Sequence, residues 1–438
     1  MLWLRAVSVK MSGKGHNGSV VKMKKFRFRC MNCSRLYEEN DVEYTCPQCG
    51  TRLGTLETLY DFDNISIKKS DFDSCSDIWQ FEALLPVSAK SFRVNLKIGT
   101  TPLYRFENLS GVKEVQIKYD GTTPTASFKD RATVIAVNRA VEKNYSSIYC
   151  ASTGNAAASL AGLSAAAGLK AYIFIPSKAP AAKIAQLMVY NAMILAIDSD
   201  YDTAFDLSMK IGEEKNWYCR NSAVNPYLIE GKKTAAMEIC VQTEFDPPDT
   251  VVVPVGDGTV ISSFYKGFSD FYNAGIIKKI PQLIGVQASG ANSLELAFKK
   301  GEPFWPVDFS GKTIADSINV GKPRDFLKAC TYIKKSKGDL ISVTDDEILS
   351  AQKELASSTG IFSEPAGAAS YAALKKLVHE NRIEKSSRVC LAVTGNGLKD
   401  ISAVSSCKTV EHLKPDVQDI KEYLDFKETY GDESYDEN

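Results

Sequence analysis

Residues 147–168 read SIYCASTGNAAASLAGLSAAAG. Five strand-prone residues lead into a Ser-Thr-Gly-Asn turn, and an Ala-rich stretch with helical character follows. The same order recurs along the chain. VQIKY (115–119) precedes RATVIAVNRAVEKN (131–144), AYIFI (171–175) precedes AAKIAQLMVYN (181–191), and TVVVPV (250–255) precedes FYKGFSDFYNAG (264–275). Strand, small polar turn and helix in repetition predict an α/β protein with parallel sheet, covered by helices on both faces. Ligands in such sheets bind in the turns at the carboxyl ends of the strands.

Those turns hold the unusual sequence. Thr125-Ala126-Ser127-Phe128-Lys129-Asp130-Arg131 ends a polar loop and opens a helix, with Ser127 or Thr125 as its expected cap. Lys129 then sits at a helix N-terminus, where the macrodipole disfavours a cation and helps keep an amine neutral and nucleophilic. Ser152-Thr153-Gly154-Asn155 combines hydroxyls, free amides and a helix start, which suits a carboxylate. Val255-Gly256-Asp257-Gly258-Thr259-Val260 follows an apolar strand. Its two glycines let backbone amides approach a phosphate, Thr259 adds a hydroxyl, and the Asp257 carboxylate is expected to point away. Thr394-Gly395-Asn396-Gly397 follows the strand RVCLAV, and a threonine hydroxyl there can donate to a pyridine nitrogen without protonating it.

Composition narrows the chemistry further. The 438 residues carry 53 basic and 53 acidic side chains, so no global field draws nucleic acid or an anionic membrane. No run of about 18 apolar residues occurs, and MLWLRAVSVK lacks the core of a secretory signal, so a cytoplasmic protein is expected. With three histidines (His16, His379, His412), triad or histidine-metal chemistry is disfavoured. Eleven cysteines at uneven spacing read mostly as reduced thiols, but Cys30, Cys33, Cys46 and Cys49 form C-x2-C-x12-C-P-x-C-G among strand-like pieces such as KFRFRC and VEYTC. That is the pattern of a zinc ribbon, a closed four-thiolate site that serves structure and not catalysis.

Taken together, the four turns resemble the fold-type-II pyridoxal-phosphate (PLP) enzymes, and most closely the threonine synthase family. The resemblance spans about residues 24–405 and extends to GTTPL (99–103), NPYLIEGKKT (225–234), EPAG (364–367) and the cysteine ribbon. It implies a two-lobed, tryptophan synthase β-like fold. It also implies PLP in Schiff-base linkage to Lys129, a contact of Asn155 with the cofactor 3-oxygen, phosphate binding by Gly256, Asp257, Gly258, Thr259 and Val260, and a ring-nitrogen contact from Thr394. A substrate role falls to Ser152, Thr153 and Gly154. The activity implied is that of a lyase converting O-phosphohomoserine and water to threonine and phosphate, with an amino acid as the small-molecule partner and a homodimer as the assembly.

The chain departs from the family where the phosphate turn usually reads G-N-G-G-N, where the last turn often reads T-G-H-G, and at 316–324 (DSINVGKPR), where many members supply an arginine near the substrate: either Lys322 and Arg324 replace that charge or the substrate is not phosphorylated. Lys322, Arg324 and Lys233 are the cations available to the leaving phosphate. The competing expectations are elimination or replacement at Cβ of serine, phosphoserine or threonine, in the manner of dehydratases and cysteate or cysteine synthases, and a catalytically silent PLP-holding protein. The expected division is a disordered extension (1–23), the zinc-ribbon-like module (24–55), a large lobe (56–130 and 205–410) around a small one (131–204), and a C-terminal helix with an acidic tail (411–438).

Overall fold

A computed structural model describes residues 26–179, 181–309, 311–403, 412–413 and 415–430. The expected N-terminal extension and the acidic end of the tail lie outside the described residues. Three sheets organise the chain. The first is a small antiparallel sheet of β1 (Phe26–Cys30), β2 (Leu36–Tyr37) and β3 (Leu56–Tyr60), in the order β2-β1-β3. Next come β4 (Leu103–Leu109) and β5 (Val112–Tyr119), followed by β6 (Ser147–Ala151), β7 (Lys170–Pro176), β8 (Met193–Ile197) and β9 (Tyr218–Cys219). The last four form a wholly parallel sheet in the order β8-β7-β6-β9. Finally β10 (Thr250–Pro254), β11 (Gln282–Ala288), β12 (Asp339–Val343) and β13 (Arg388–Val393) join β5 and β4 in the order β12-β11-β10-β13-β5-β4. This sheet is parallel except at its β4 edge, where β4 and β5 make a hairpin.

The α/β expectation holds for a physical reason. β6 and β10 are buried at every position, as parallel strands covered on both faces must be. The helix Asn155–Ala167, nearly all alanine, leucine and serine, packs between strands and the helix Lys129–Glu142 with small side chains that permit close approach. Gly231 marks a very close approach, since a Cβ there would stand 1.9 Å from the Arg131 carbonyl oxygen. The helix Tyr227–Lys232 therefore lies directly against the one that begins at Lys129.

A buried charge network fixes that second helix. The Arg131 guanidinium donates to Asp120 (2.6 Å), to both oxygens of Glu238 (2.6 and 2.7 Å) and to Thr101 (2.9 Å), while Lys118 donates to Glu238 at 2.7 Å. Glu238 also accepts the amides of Thr100 and Thr101 at 2.8 and 3.3 Å. Every charge in the cluster has a partner, which is the condition for tolerating burial. The loop GTTPL, the strand β5 and the helix Thr234–Gln242 are thereby locked to the residues just after Lys129.

One local expectation fails. VEYTC (42–46) is not a strand. The hydroxyl of Tyr44 accepts the Cys219 amide at 3.0 Å and its ring meets Tyr218 edge-on at 5.9 Å, so this segment docks on the four-stranded sheet instead of pairing within its own module.

Candidate active site

Lys129 is the first residue of the helix Lys129–Glu142, as its sequence context suggests, but neither Ser127 nor Thr125 caps that helix. Phe128 occupies the cap position without a side-chain bond. Thr125 instead gives its amide (2.7 Å) and hydroxyl to the Asp130 carboxylate, and the Ser127 hydroxyl is buried without a partner. What holds the turn is backbone. Phe128 N–H donates to Thr394 O at 2.8 Å, Asn396 N–H to Ala126 O at 3.1 Å, and Ser127 bridges Gly395. Glu364 N–H in turn donates to Gly395 O at 3.2 Å. Three turns far apart in sequence, around Lys129, Glu364 and Thr394, are thus hydrogen-bonded into one unit.

Within that unit Lys129 Nζ makes no hydrogen bond or ion pair among the described residues. Desolvation holds its pKa below the usual lysine range, opposed by the carboxylates of Glu364 and Asp257 and reinforced by Arg220. The Thr394 hydroxyl, nearly buried, is equally without a partner. Asn155 opens the next helix, and its amide nitrogen donates to both Glu364 oxygens (3.0 and 2.9 Å) and to Ser317 (2.9 Å). Burial raises the Glu364 pKa against the opposing effects of Asn155, Lys129 and Lys399. A cleft of about 430 Å³ opens beside these groups, lined by Thr153, Gly154, Asn155, Ser317, Glu364 and Lys399 among others.

The turn 256–260 differs from its expected form. The Asp257 carboxylate folds back to accept from both the Thr259 amide (3.0 Å) and the Thr259 hydroxyl (2.9 Å), so these two donors are taken. Gly258 has φ +98° and lies against the Asp325 carbonyl, which reserves the position for glycine. Lys232 Nζ donates to the Thr259 hydroxyl at 2.6 Å and has no carboxylate partner among the described residues. Burial drives its pKa down to about 7.

The other expected cations separate. Lys233 is buried in ion pairs with Glu230 and Asp270 (2.6 Å to the latter). Lys322 pairs with Asp202 at 2.8 Å on the surface. Arg324 lies over the Phe205 ring at 3.8 Å and lines a pocket with Ser152, Arg220 and Asp257. Asn396, in the place of the family's histidine, caps the following turn by accepting from Leu398 N–H at 3.0 Å and donates to Gly121 O at 3.3 Å.

The family model for pyridoxal-phosphate dependent enzymes matches residues 94–395, which hold the first three turns and the start of the fourth. A threonine synthase of Methanocaldococcus jannaschii is 41% identical over 382 residues, 86% of this chain and 93% of that protein. One from Methanosarcina acetivorans is 36% identical over 405 residues, 91% and 98% of the respective chains. The chain belongs to the pyridoxal-phosphate dependent enzymes, in the threonine synthase family. Solved structures of a Solanum lycopersicum threonine deaminase (TM-score 0.60, 21% identity, 75% of this chain and 91% of that one) and of maize serine racemase (0.58, 23%, 75% and 93%) share its fold.

As a PLP-dependent lyase it offers groups that fit the cofactor: an amine at Lys129 and a hydroxyl at Thr394 that are unpaired among the described residues, glycines at 256 and 258, and the buried Lys232, which has no carboxylate partner among them. The four ribbon thiols lie with their sulfurs within 4.8 Å of one another, and Cys33 and Cys46 are 3.8 Å apart. Tetrahedral zinc with Zn–S near 2.3 Å sets sulfurs about 3.8 Å apart, so the cluster suits that ion.

Sequence reasoning gave no role to Glu364, Lys399, Arg220 or Lys232. Glu364 and Lys232 stand inside motifs that carried the resemblance. Their signal was an ionisable residue in a segment otherwise reading as buried.

Proposed function

We propose that the protein converts O-phosphohomoserine and water to threonine and phosphate, with Lys129 as the residue that carries the cofactor and moves the protons. The observation that carries the reading is the free, desolvated amine of Lys129 at the meeting point of three interlocked turns. Kinship with relatives named threonine synthase weighs against elimination or replacement on serine, phosphoserine or threonine.

Pyridoxal phosphate, when bound, supplies an electron sink conjugated to the substrate Cα. The chain's own residues do the rest. The Lys129 amine, displaced by the substrate amine, becomes the general base at Cα and then at Cβ, which its lowered pKa favours because more of it is unprotonated near neutrality. Ser152, Thr153 and Gly154 hold the substrate carboxylate at the start of the helix Asn155–Ala167. Gly256 to Val260, with Lys232, would hold the cofactor phosphate, and the Thr394 hydroxyl would donate to the ring nitrogen. Asn155, whose amide donates to Glu364, would hold the 3-oxygen. Phosphate departs from Cγ, and water adds at Cβ. The two parallel sheets form the two lobes, with the cleft between them, and the protein works as a homodimer in the cytoplasm.

The test is a substrate panel of O-phosphohomoserine, O-phosphoserine, serine and threonine, read for amino-acid product, phosphate and 2-oxo acid. Equimolar threonine and phosphate from O-phosphohomoserine are expected. A 2-oxo acid as the main product from any of the four substrates would overturn the reading.

A further inference from the structure

Beside the 256–260 turn lies a second pocket, of about 470 Å³, whose polar lining includes Ser152, Tyr201, Arg220, Ser222, Asp257 and Arg324. Arg220 follows β9 and is completely buried. Its backbone is fixed, because its N–H donates to Tyr149 O at 2.8 Å in the four-stranded sheet. Its Nε donates to the Thr133 hydroxyl at 3.1 Å, one turn into the helix that begins at Lys129, and Nη1 donates to the Ser222 hydroxyl at 3.1 Å. Nη2 has no acceptor, and no carboxylate among the described residues forms an ion pair with the guanidinium.

A buried guanidinium left with only neutral partners and an orphan N–H group costs free energy that folding alone does not return. Arg131, equally buried, shows the ordinary solution, with two carboxylates of the protein in contact. Arg220 lacks that solution and faces a cavity, so the missing partner is an anion from outside the chain. The pocket carries a second guanidinium, Arg324, whose contact with Asp202 is a long 3.5 Å and which is held mainly by stacking on Phe205. The one acid in the lining, Asp257, is turned onto Thr259. Two forked donors and two serine hydroxyls around one space match the oxygens of a phosphate monoester.

We propose that Arg220 is the specificity-determining residue of this enzyme, docking the distal phosphoryl group of the amino-acid substrate in the pocket it shares with Arg324. The proposal rests on the functional reading above. It replaces Lys322 and Lys233 as the source of the charge, since both are satisfied by carboxylates elsewhere.

The experiment uses the full-length, cofactor-loaded protein and follows the visible absorbance change on adding O-phospho-L-homoserine or L-homoserine, the same amino acid without the phosphoryl. The wild type is expected to bind the phosphorylated ligand more tightly, with inorganic phosphate competing against it and not against homoserine. Arg220→Gln should weaken O-phosphohomoserine by about 10- to 100-fold, the range for a charged hydrogen-bonding group, and leave homoserine unchanged. Arg220→Lys, which keeps the charge and loses the fork, should fall between. Equal weakening of both ligands, or undiminished preference for the phosphorylated one in Arg220→Lys and Arg220→Gln, overturns the role of Arg220 alone. A wild-type protein that does not distinguish the two ligands overturns the functional reading with it.

Discussion

At the scale of single residues, burial unsettles the charge of the amines Lys129 and Lys232. Lys129→Ala removes nucleophile and base together, so turnover should drop by about 10²–10⁴-fold or more. The visible absorbance of the lysine-linked cofactor should vanish while the fold survives in circular dichroism. Lys232 makes a pH prediction. Its pKa of about 7 in the folded protein lies below the 10.5 of the unfolded chain, so between these values the unfolded state binds more protons and stability rises with pH. Lys232→Met should flatten that part of the stability profile in urea titrations at several pH values. If Lys232 holds the cofactor phosphate as proposed, the affinity for cofactor should fall as pH rises above about 7 in the wild type and lose that dependence in Lys232→Met. These residues were only half legible in the sequence. Lys129 stood out because its neighbours form a motif, whereas Arg220 is one basic residue in an ordinary run, and only its burial without a carboxylate gives it meaning.

At the scale of elements, the turns were readable and their internal bonding was not. The sequence pattern of strand, small residues and helix is local, and the structure keeps it from β5 to β13. The bond from Phe128 to Thr394 joins segments hundreds of residues apart, and that from Glu364 to Gly395 ties a third segment to them, which no periodicity records. The expected cap fails for a local reason: Thr125 has a better partner in Asp130, five residues on, than in the helix end. The cysteine module shows a mixture. Its spacing announced the four thiols correctly, yet VEYTC resembled a strand and was drawn by Tyr44 onto the neighbouring sheet. The module should bind one zinc ion per chain, measured by metal analysis. Chelation, or Cys46→Ser, should melt the module first, as a separate low-temperature step in calorimetry, because four closely set thiols have no apolar substitute for the ion that unites them.

At the scale of the whole molecule, a buried network around Arg131 sets where the reacting residues stand. It joins β5, the GTTPL loop and the helix Thr234–Gln242 to the helix that carries Lys129. Arg131→Met leaves Asp120 and Glu238 buried with fewer partners and should cost about 3–5 kcal/mol of stability, read from denaturant melts. Glu238→Gln should act in the same direction. Composition disfavours charge-driven binding and histidine chemistry, and the repeated units predict the α/β class, but three-sheet order and the convergence of turns required the chain in space. In the proposed reaction these converging turns carry out departure of phosphate from Cγ followed by addition of water at Cβ. Turnover of O-phosphohomoserine in water enriched in heavy oxygen tests it most directly. The label should appear in the threonine hydroxyl and be absent from the released phosphate; label in the phosphate, with homoserine as the product, would contradict the account.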